Sequence, residues 1–390
     1  MRYIAVSLIF FSTIFCFAQE KIKCTDWFSM MTETKNKWQV VVEGDENLRV
    51  QLRPQKIDEG KPLKKVLVLF PKKSSAYDIA MDTILTVFPE KDIQAQFTLI
   101  YFKNQPELGF AALAYGEEQN FDLIFSMGSQ STNFIHNHYQ NGKFPVVTVC
   151  SKDPVRLFTD INDYNTGSGT NIAYTSLDVS ITLQLEYILK INENLKNIVI
   201  LYAVDNTSAV LAEVEPLKQE CTLLGIIYFD LAVEDQKNAR AELQEKIPIV
   251  VNQIKRIDPE LDETIFWITG STSVFREIET INKYSSSIPV LASKSNVVAP
   301  GDHSAVLSIG VSFENNALIA ALYGVGILAG EYQAGELPVG VVSPPDIAIN
   351  FKKAKEIGLK IPFTFFESAS YIYNYEGELV RKDGQKVDNK

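Results

Sequence analysis

Two spacings of apolar residues alternate along this chain. Continuous runs at Val66–Phe70, Phe121–Ser126, Val146–Cys150 and Ile198–Ala203 have the length and β-branched content of strands covered on both faces. Between them apolar positions recur at helical steps, as in Ala76–Val87 (Ile79, Ile84, Val87), Leu108–Glu118 and the stretch holding Val210, Leu211, Val214 and Leu217. Each strand-like run stops at a short polar corner: Pro71–Ser75, then Gly128 to Thr132, Ser151 to Pro154, and Asp205 to Ser208. A strand that ends in a capped helix leaves free helix N–H groups and small hydroxyl or amide side chains at the carboxyl edge of its sheet. In open α/β sheets that edge is where ligands bind.

The pattern predicts further strands at Ile93–Tyr101, Ile226–Leu231, Thr264–Ile268 and Val290–Ala292. Helices are expected over Ile181–Leu189, capped by Ser176 or Asp178, over Ile247–Ile257, over Ala305–Leu328 and over Ala348–Gly358, which Gly358 would stop. Tyr371–Val380 reads as a closing hairpin or strand. Asp160–Asn171, with Gly167, Ser168 and Gly169 among Asn, Asp and Thr, breaks the cycle and reads as a crossing between two bodies. The fold class expected is α/β, two doubly wound parallel-sheet lobes joined by a hinge. Lobe 1 would take 64–170 with 305–338 returning to it, and lobe 2 would take 171–304 with 339–362. Residues 20–63 carry one candidate strand, Trp38–Val42, and otherwise read as an irregular extension, while 363–390 form a closing segment and a fraying tail.

Composition narrows the setting. A chain of 390 residues that is 46% hydrophobic and 22% charged has material for two cores. Its first 19 residues, with Arg2, an apolar run from Ile4 to Phe17 and Ala18, read as a secretory leader, with a retained anchor as the alternative. Phe15 stands where a lipidated cysteine at 16 would need a small neighbour. The remaining Cys24, Cys150 and Cys221 are odd in number and widely spaced, so they make no disulfide framework. A net charge of −11 without a basic stripe argues against nucleic acid as partner.

The corners supply the candidate site. Ser75, Tyr77, Ser129, Gln130 and Ser131 on one lobe face Asp205, Asn206, Thr207, Ser208, Gly270, Ser271, Thr272 and Ser295 on the other. Hydroxyls, amides and helix-end N–H groups of this kind suit a carboxylate or a neutral polar group. Tyr77, Tyr174 and Phe313 could stack on a flat portion, and Asp153 or Asp205 could hold an ammonium group. Each corner residue alone is equally well explained as a helix cap. His136 and His138 lie two apart on a helix, facing different ways, and His303 stands alone, so no metal site is expected. No nucleophile elbow, phosphate-binding loop or dinucleotide fingerprint is present, so an enzyme and a cofactor are not expected.

Several segments together resemble the type I periplasmic substrate-binding proteins of ABC transporters, in the family that includes tryptophan-binding members. They are Phe144-Pro145-Val146-Val147 with Asp153-Pro154, Ile191 to Ser208, Ile288 to Ser293, Ile327 to Glu331 with Leu337-Pro338-Val339, and Ile349-Asn350 with Ala354 to Pro362. The resemblance covers about Val66 to Ala369. It implies a secreted or periplasmic monomer that captures an amino acid or similar metabolite between its lobes and hands it to an ABC permease. A sensor that reports closure to a membrane receptor without transport is the alternative, and a surface protein with a filled cleft is a third. Asn171-Ile172-Ala173-Tyr174 departs from the family's Asn-Val-Thr-Gly, which sets a tyrosine where a glycine is usual.

Overall fold

The computed structural model describes residues 21–43, 48–301, 303–382 and 384–387. The expected leader lies outside them. Eighteen strands are described: β1 (Lys21–Lys23), β2 (Ser29–Met31), β3 (Trp38–Glu43), β4 (Arg49–Pro54), β5 (Lys64–Phe70), β6 (Ala95–Tyr101), β7 (Leu123–Met127), β8 (Val146–Val149), β9 (Ile172–Ala173), β10 (Asn197–Ala203), β11 (Ile227–Val233), β12 (Thr264–Ile268), β13 (Val290–Ala292), β14 (Leu307–Gly310), β15 (Asp346–Asn350), β16 (Tyr371–Tyr373), β17 (Leu379–Lys382) and β18 (Gln385–Lys386).

β1 and β2 pair with each other, and the rest build two main sheets, each centred on a parallel block. The first runs β3-β4-β6-β5-β7-β8-β9, parallel from β6 to β9. The second runs β11-β10-β12-β13-β14-β15-β16-β17-β18, parallel from β11 to β14. Val66 to Phe70 and Ile198 to Leu201 are wholly buried, as continuous apolar strands between helical layers require. Each sheet has an apolar cluster on both faces, so two lobes with separate cores stand side by side.

The chain passes between the lobes three times. Because β9 pairs with β8, residues 172–173 stay in the first sheet, and the first passage follows them at 174–180. The second lies between β14 and the Phe313–Ala329 helix, whose Ala317, Ala320 and Ala321 pack in the core of lobe 1. The third returns to β15, with Gly340 bridged to Thr175. Asn316 ties these passages together. Its amide accepts from the Cys150 N–H at 2.7 Å and donates to the Ser176 carbonyl at 3.0 Å.

Several expectations are corrected. Residues 49–54 form a strand, so the stretch before Leu63 is a hairpin added antiparallel to β6, and Trp27, Phe28 and Trp38 are buried in the lobe 1 core. Charged residues on β4 hid the pattern. The apolar stretch from Ala305 divides into β14 and the helix that starts at Phe313. Ala348 to Asn350 belongs to β15 and the helix after it is short, Phe351–Glu356; Gly358 lies just beyond it at φ +71°. The helix expected from Ile247 begins at Ala239 and carries Pro248 in its interior. Ser180, rather than Ser176 or Asp178, caps the Ile181–Ile191 helix, accepting from the Leu183 N–H at 3.4 Å.

Candidate functional site

The carboxyl edges of the two parallel blocks face one another across a cavity of about 460 Å³. Five helix starts open on it: Ser75–Glu90 and Gly128–His138 of lobe 1, Thr207–Ala209 and Thr272–Phe275 of lobe 2, and Phe313–Ala329, which returns to lobe 1. The structure brings Tyr77, Ser129, Gln130, Asp205, Asn206, Thr207, Ser208, Gly270, Thr272 and Phe313 to the cavity wall. Gly128 makes the Tyr77 position possible. It adopts φ +75°, and a Cβ there would run into the Tyr77 ring.

Other expected residues do not line the cavity. Ser75 is exposed beside the lining residue Ser74, which caps the helix. Ser131 is buried, 2.8 Å from the Ser126 hydroxyl. Ser271 is buried and accepts from the Ala203 N–H at 3.2 Å and from the Asn206 amide at 3.3 Å, so it braces the corner. Ser295 is buried in a single 3-10 turn. The Asp153 carboxylate caps the Val155 N–H at 3.0 Å and accepts from the Tyr164 hydroxyl, which leaves it a turn residue.

Tyr174 is buried and does not line the cavity. Its hydroxyl lies 2.8 Å from His136 Nδ1, and its ring packs on Phe158, which does line the cavity and stacks on His136 at 3.8 Å. The tyrosine therefore shapes the cleft through Phe158. Tyr174→Phe is expected to cost about 1 kcal/mol, the worth of one buried hydrogen bond. Urea unfolding checks this, and an unchanged midpoint would show the hydroxyl to be idle.

The floor of the cavity holds residues that the corner pattern did not single out. Lys152, just after β8, and Lys294, just after β13, both line it. Lys152 Nζ lies 3.0 Å from Asp178 Oδ1 and in direct contact with Glu213 Oε1, and Lys294 Nζ lies 2.9 Å from the same Asp178 oxygen. The four side chains are between 1% and 7% exposed. They join lobe 1 (Lys152), the first passage (Asp178) and lobe 2 (Glu213, Lys294) in one neutral cluster. Burial opposes ionisation of Asp178, but Lys152 and Lys294 outweigh it and hold its carboxyl at about 2. Burial also pushes the Lys152 ammonium down to about 7, against the pull of Asp178.

Glu213 reaches the floor because its helix is interrupted. Pro216 has no N–H to give the preceding turn, and residues Val210–Val214 widen into a π turn before the regular helix Glu215–Leu224 begins. A Ser-Lys pair within two residues of a strand end occurs twice, at Ser151-Lys152 and Ser293-Lys294, and is the sequence signal for the two lysines. The mouth adds Lys72 and Gln236, and Phe158, Phe275 and Leu157 supply apolar wall. Cys150 lines the cavity too; burial raises its thiol well above the ordinary value, so it stays protonated.

A family description, ABC transporter substrate binding protein, matches residues 66–371. Among solved structures, a conserved domain protein from Vibrio cholerae is 19% identical with a TM-score of 0.61, over 80% of this chain and 100% of that one. The ligand-free, open form of a substrate-binding protein with adhesive properties from Clostridium difficile is 20% identical with a TM-score of 0.60, over 79% and 98%. An ABC domain from Streptococcus pneumonia in complex with L-Trp is 17% identical with a TM-score of 0.61, over 80% and 100%. At these identities the likeness establishes the fold. No curated protein matches the chain.

Proposed function

The chain belongs to the ABC transporter substrate-binding protein family, and we propose on that premise that it captures a small polar metabolite between its lobes and delivers it to an ABC permease. Binding a solute is the family's role; the class of solute and the delivery are our reading. One observation carries it: polar helix starts from both lobes line a single cavity of about 460 Å³. Free N–H groups at helix starts favour a negative or polar group, and aromatic side chains on the same wall favour a flat or apolar portion. A solute touching both lobes stabilises their closed arrangement, which is the form a membrane partner could recognise. Proteins of this family normally act in the periplasm or outside the cell, and that is the setting proposed for this chain.

The test is thermal unfolding in the presence of amino acids, nucleosides, small sugars and organic acids. The Streptococcus pneumonia domain holds L-Trp, so aromatic amino acids belong in the panel. A solute at about 100 times its Kd stabilises by roughly 2.7 kcal/mol, which for lobes of this size raises Tm by about 5–10 °C. At least one class is expected to do so. A flat response to every class would reject the reading.

A further inference from the structure

The floor cluster decides what kind of charge a ligand can bring, and this inference rests on the binding role proposed above. Three of the four carboxylate oxygens of Asp178 and Glu213 accept hydrogen bonds from the chain itself, and the fourth, Glu213 Oε1, sits against the Lys152 ammonium group. Asp178 Oδ1 takes Lys152 and Lys294, and Oδ2 accepts from the Asp153 N–H at 2.9 Å. Glu213 Oε1 takes Lys152, and Oε2 accepts from the Gly270 N–H at 2.9 Å and the Ser293 hydroxyl at 2.7 Å. Neither carboxylate is part of the cavity wall, whereas both lysines are.

The lysines keep capacity to spare. An ammonium group has three N–H donors. Lys152 donates one to Asp178 and lies in ionic contact with Glu213, and Lys294 directs two at Asp178 and the Leu177 carbonyl, 2.6 Å away. A ligand carboxylate beside them favours the charged form of Lys152, and with both lysines as ammonium groups a donor remains on each, from opposite lobes. A ligand carboxylate has two oxygens to receive them. A ligand ammonium group at the same place would meet two cations and find no free oxygen. The remaining carboxylate on the wall, Asp205, is exposed at the mouth and already accepts from the Gln236 amide, and an exposed ion pair there adds little.

We propose that the ligand is a small organic acid without an amine, its carboxylate received by Lys152 and Lys294 at the cavity floor and its apolar or aromatic body lying against Phe158, Phe275 and Phe313. The two lysines, by occupying both buried carboxylates, exclude the zwitterionic head of an amino acid and let a carboxylate join the lobes.

Matched pairs test this on the whole protein by titration calorimetry: 3-phenylpropionate against L-phenylalanine, and 4-methylpentanoate against L-leucine. The amine-free acid is expected to bind at least tenfold more tightly in one pair or both. The double variant Lys152→Gln with Glu213→Gln removes one charge pair without leaving a lone buried ion, and is expected to weaken the acid at least tenfold. Equal or tighter binding by the amino acids would overturn the inference and leave solute capture standing. Capture of a sugar or nucleoside, with neither series bound, would also overturn it alone. Failure to bind any solute of any class would overturn both.

Discussion

Replacing Asp178 by alanine is expected to destabilise the protein by about 3–5 kcal/mol, the cost of leaving a buried ion without its partner. Two lysine ammonium groups converge on this one carboxylate, 3.0 and 2.9 Å from the same oxygen, and the side chain is 5% exposed. Without it, Lys152 and Lys294 would share only Glu213, which lies 4.0 Å from Lys294. A low urea midpoint in Asp178→Ala, with the slope unchanged, is the measurement; a midpoint within the scatter of surface variants would show the cluster to be solvated. The pH profile gives a second sign. The Asp178 carboxyl sits at about 2 in the folded chain against an ordinary 3.8. Its contribution is therefore complete above about pH 4 and is lost as pH falls through 2. The difference is worth about 2 kcal/mol at 1.36 kcal/mol per pH unit. Asp178→Asn should lose less stability than the parent protein over that interval.

The second large effect is expected at Gly270. Its N–H holds Glu213, and a Cβ built on it would press on Lys152 Nζ, lie 2.8 Å from Glu213 Oε1 and sit 3.0 Å from Lys294 Cε. Gly270→Ala would force apart the groups on which the floor depends, at about 1–3 kcal/mol for overpacking. The lysine ends are flexible but buried, so relief comes by moving them toward the cavity. We expect ligand affinity to fall at least tenfold alongside the loss of stability. Thermal unfolding with and without the best solute of the panel separates the two, and unaltered affinity would show that the floor does not touch the ligand.

Much of this architecture was legible in the chain because the signals were local. Val66 to Phe70, Thr264 to Ile268 and Val290 to Ala292 are apolar runs bounded by polar corners, and they became strands of the parallel blocks. Tyr77, Ser129, Asn206 and Thr272 sit on the cavity wall because a corner at the end of a parallel strand has one place to be. What remained hidden depended on long-range pairing. Arg49 to Pro54 reads as a charged loop until β6 offers it an edge. Ala348 to Asn350 continues smoothly into a helical pattern, and only pairing with β14 and β16 makes it a strand. Glu213 falls on the polar side of a regular helix, and the π turn ahead of Pro216 carries it inward. Lys152 and Lys294 look like solvated turn residues until the two lobes meet and bury them together. Tyr174 was placed near the cleft by its position in the chain, and the structure sets it one layer behind, under Phe158.

The account stands on one solute being held by both lobes at once, and blocking the cavity from each side measures that directly. Gln130 and Thr207 are exposed residues on opposite walls, so Gln130→Trp and Thr207→Trp should each leave the unfolding free energy within about 0.5 kcal/mol. Calorimetric titration with the solute that most raises Tm is expected to show more than tenfold weaker binding in both variants. Binding that survives either block undiminished would place the ligand outside the space between the lobes and contradict the account.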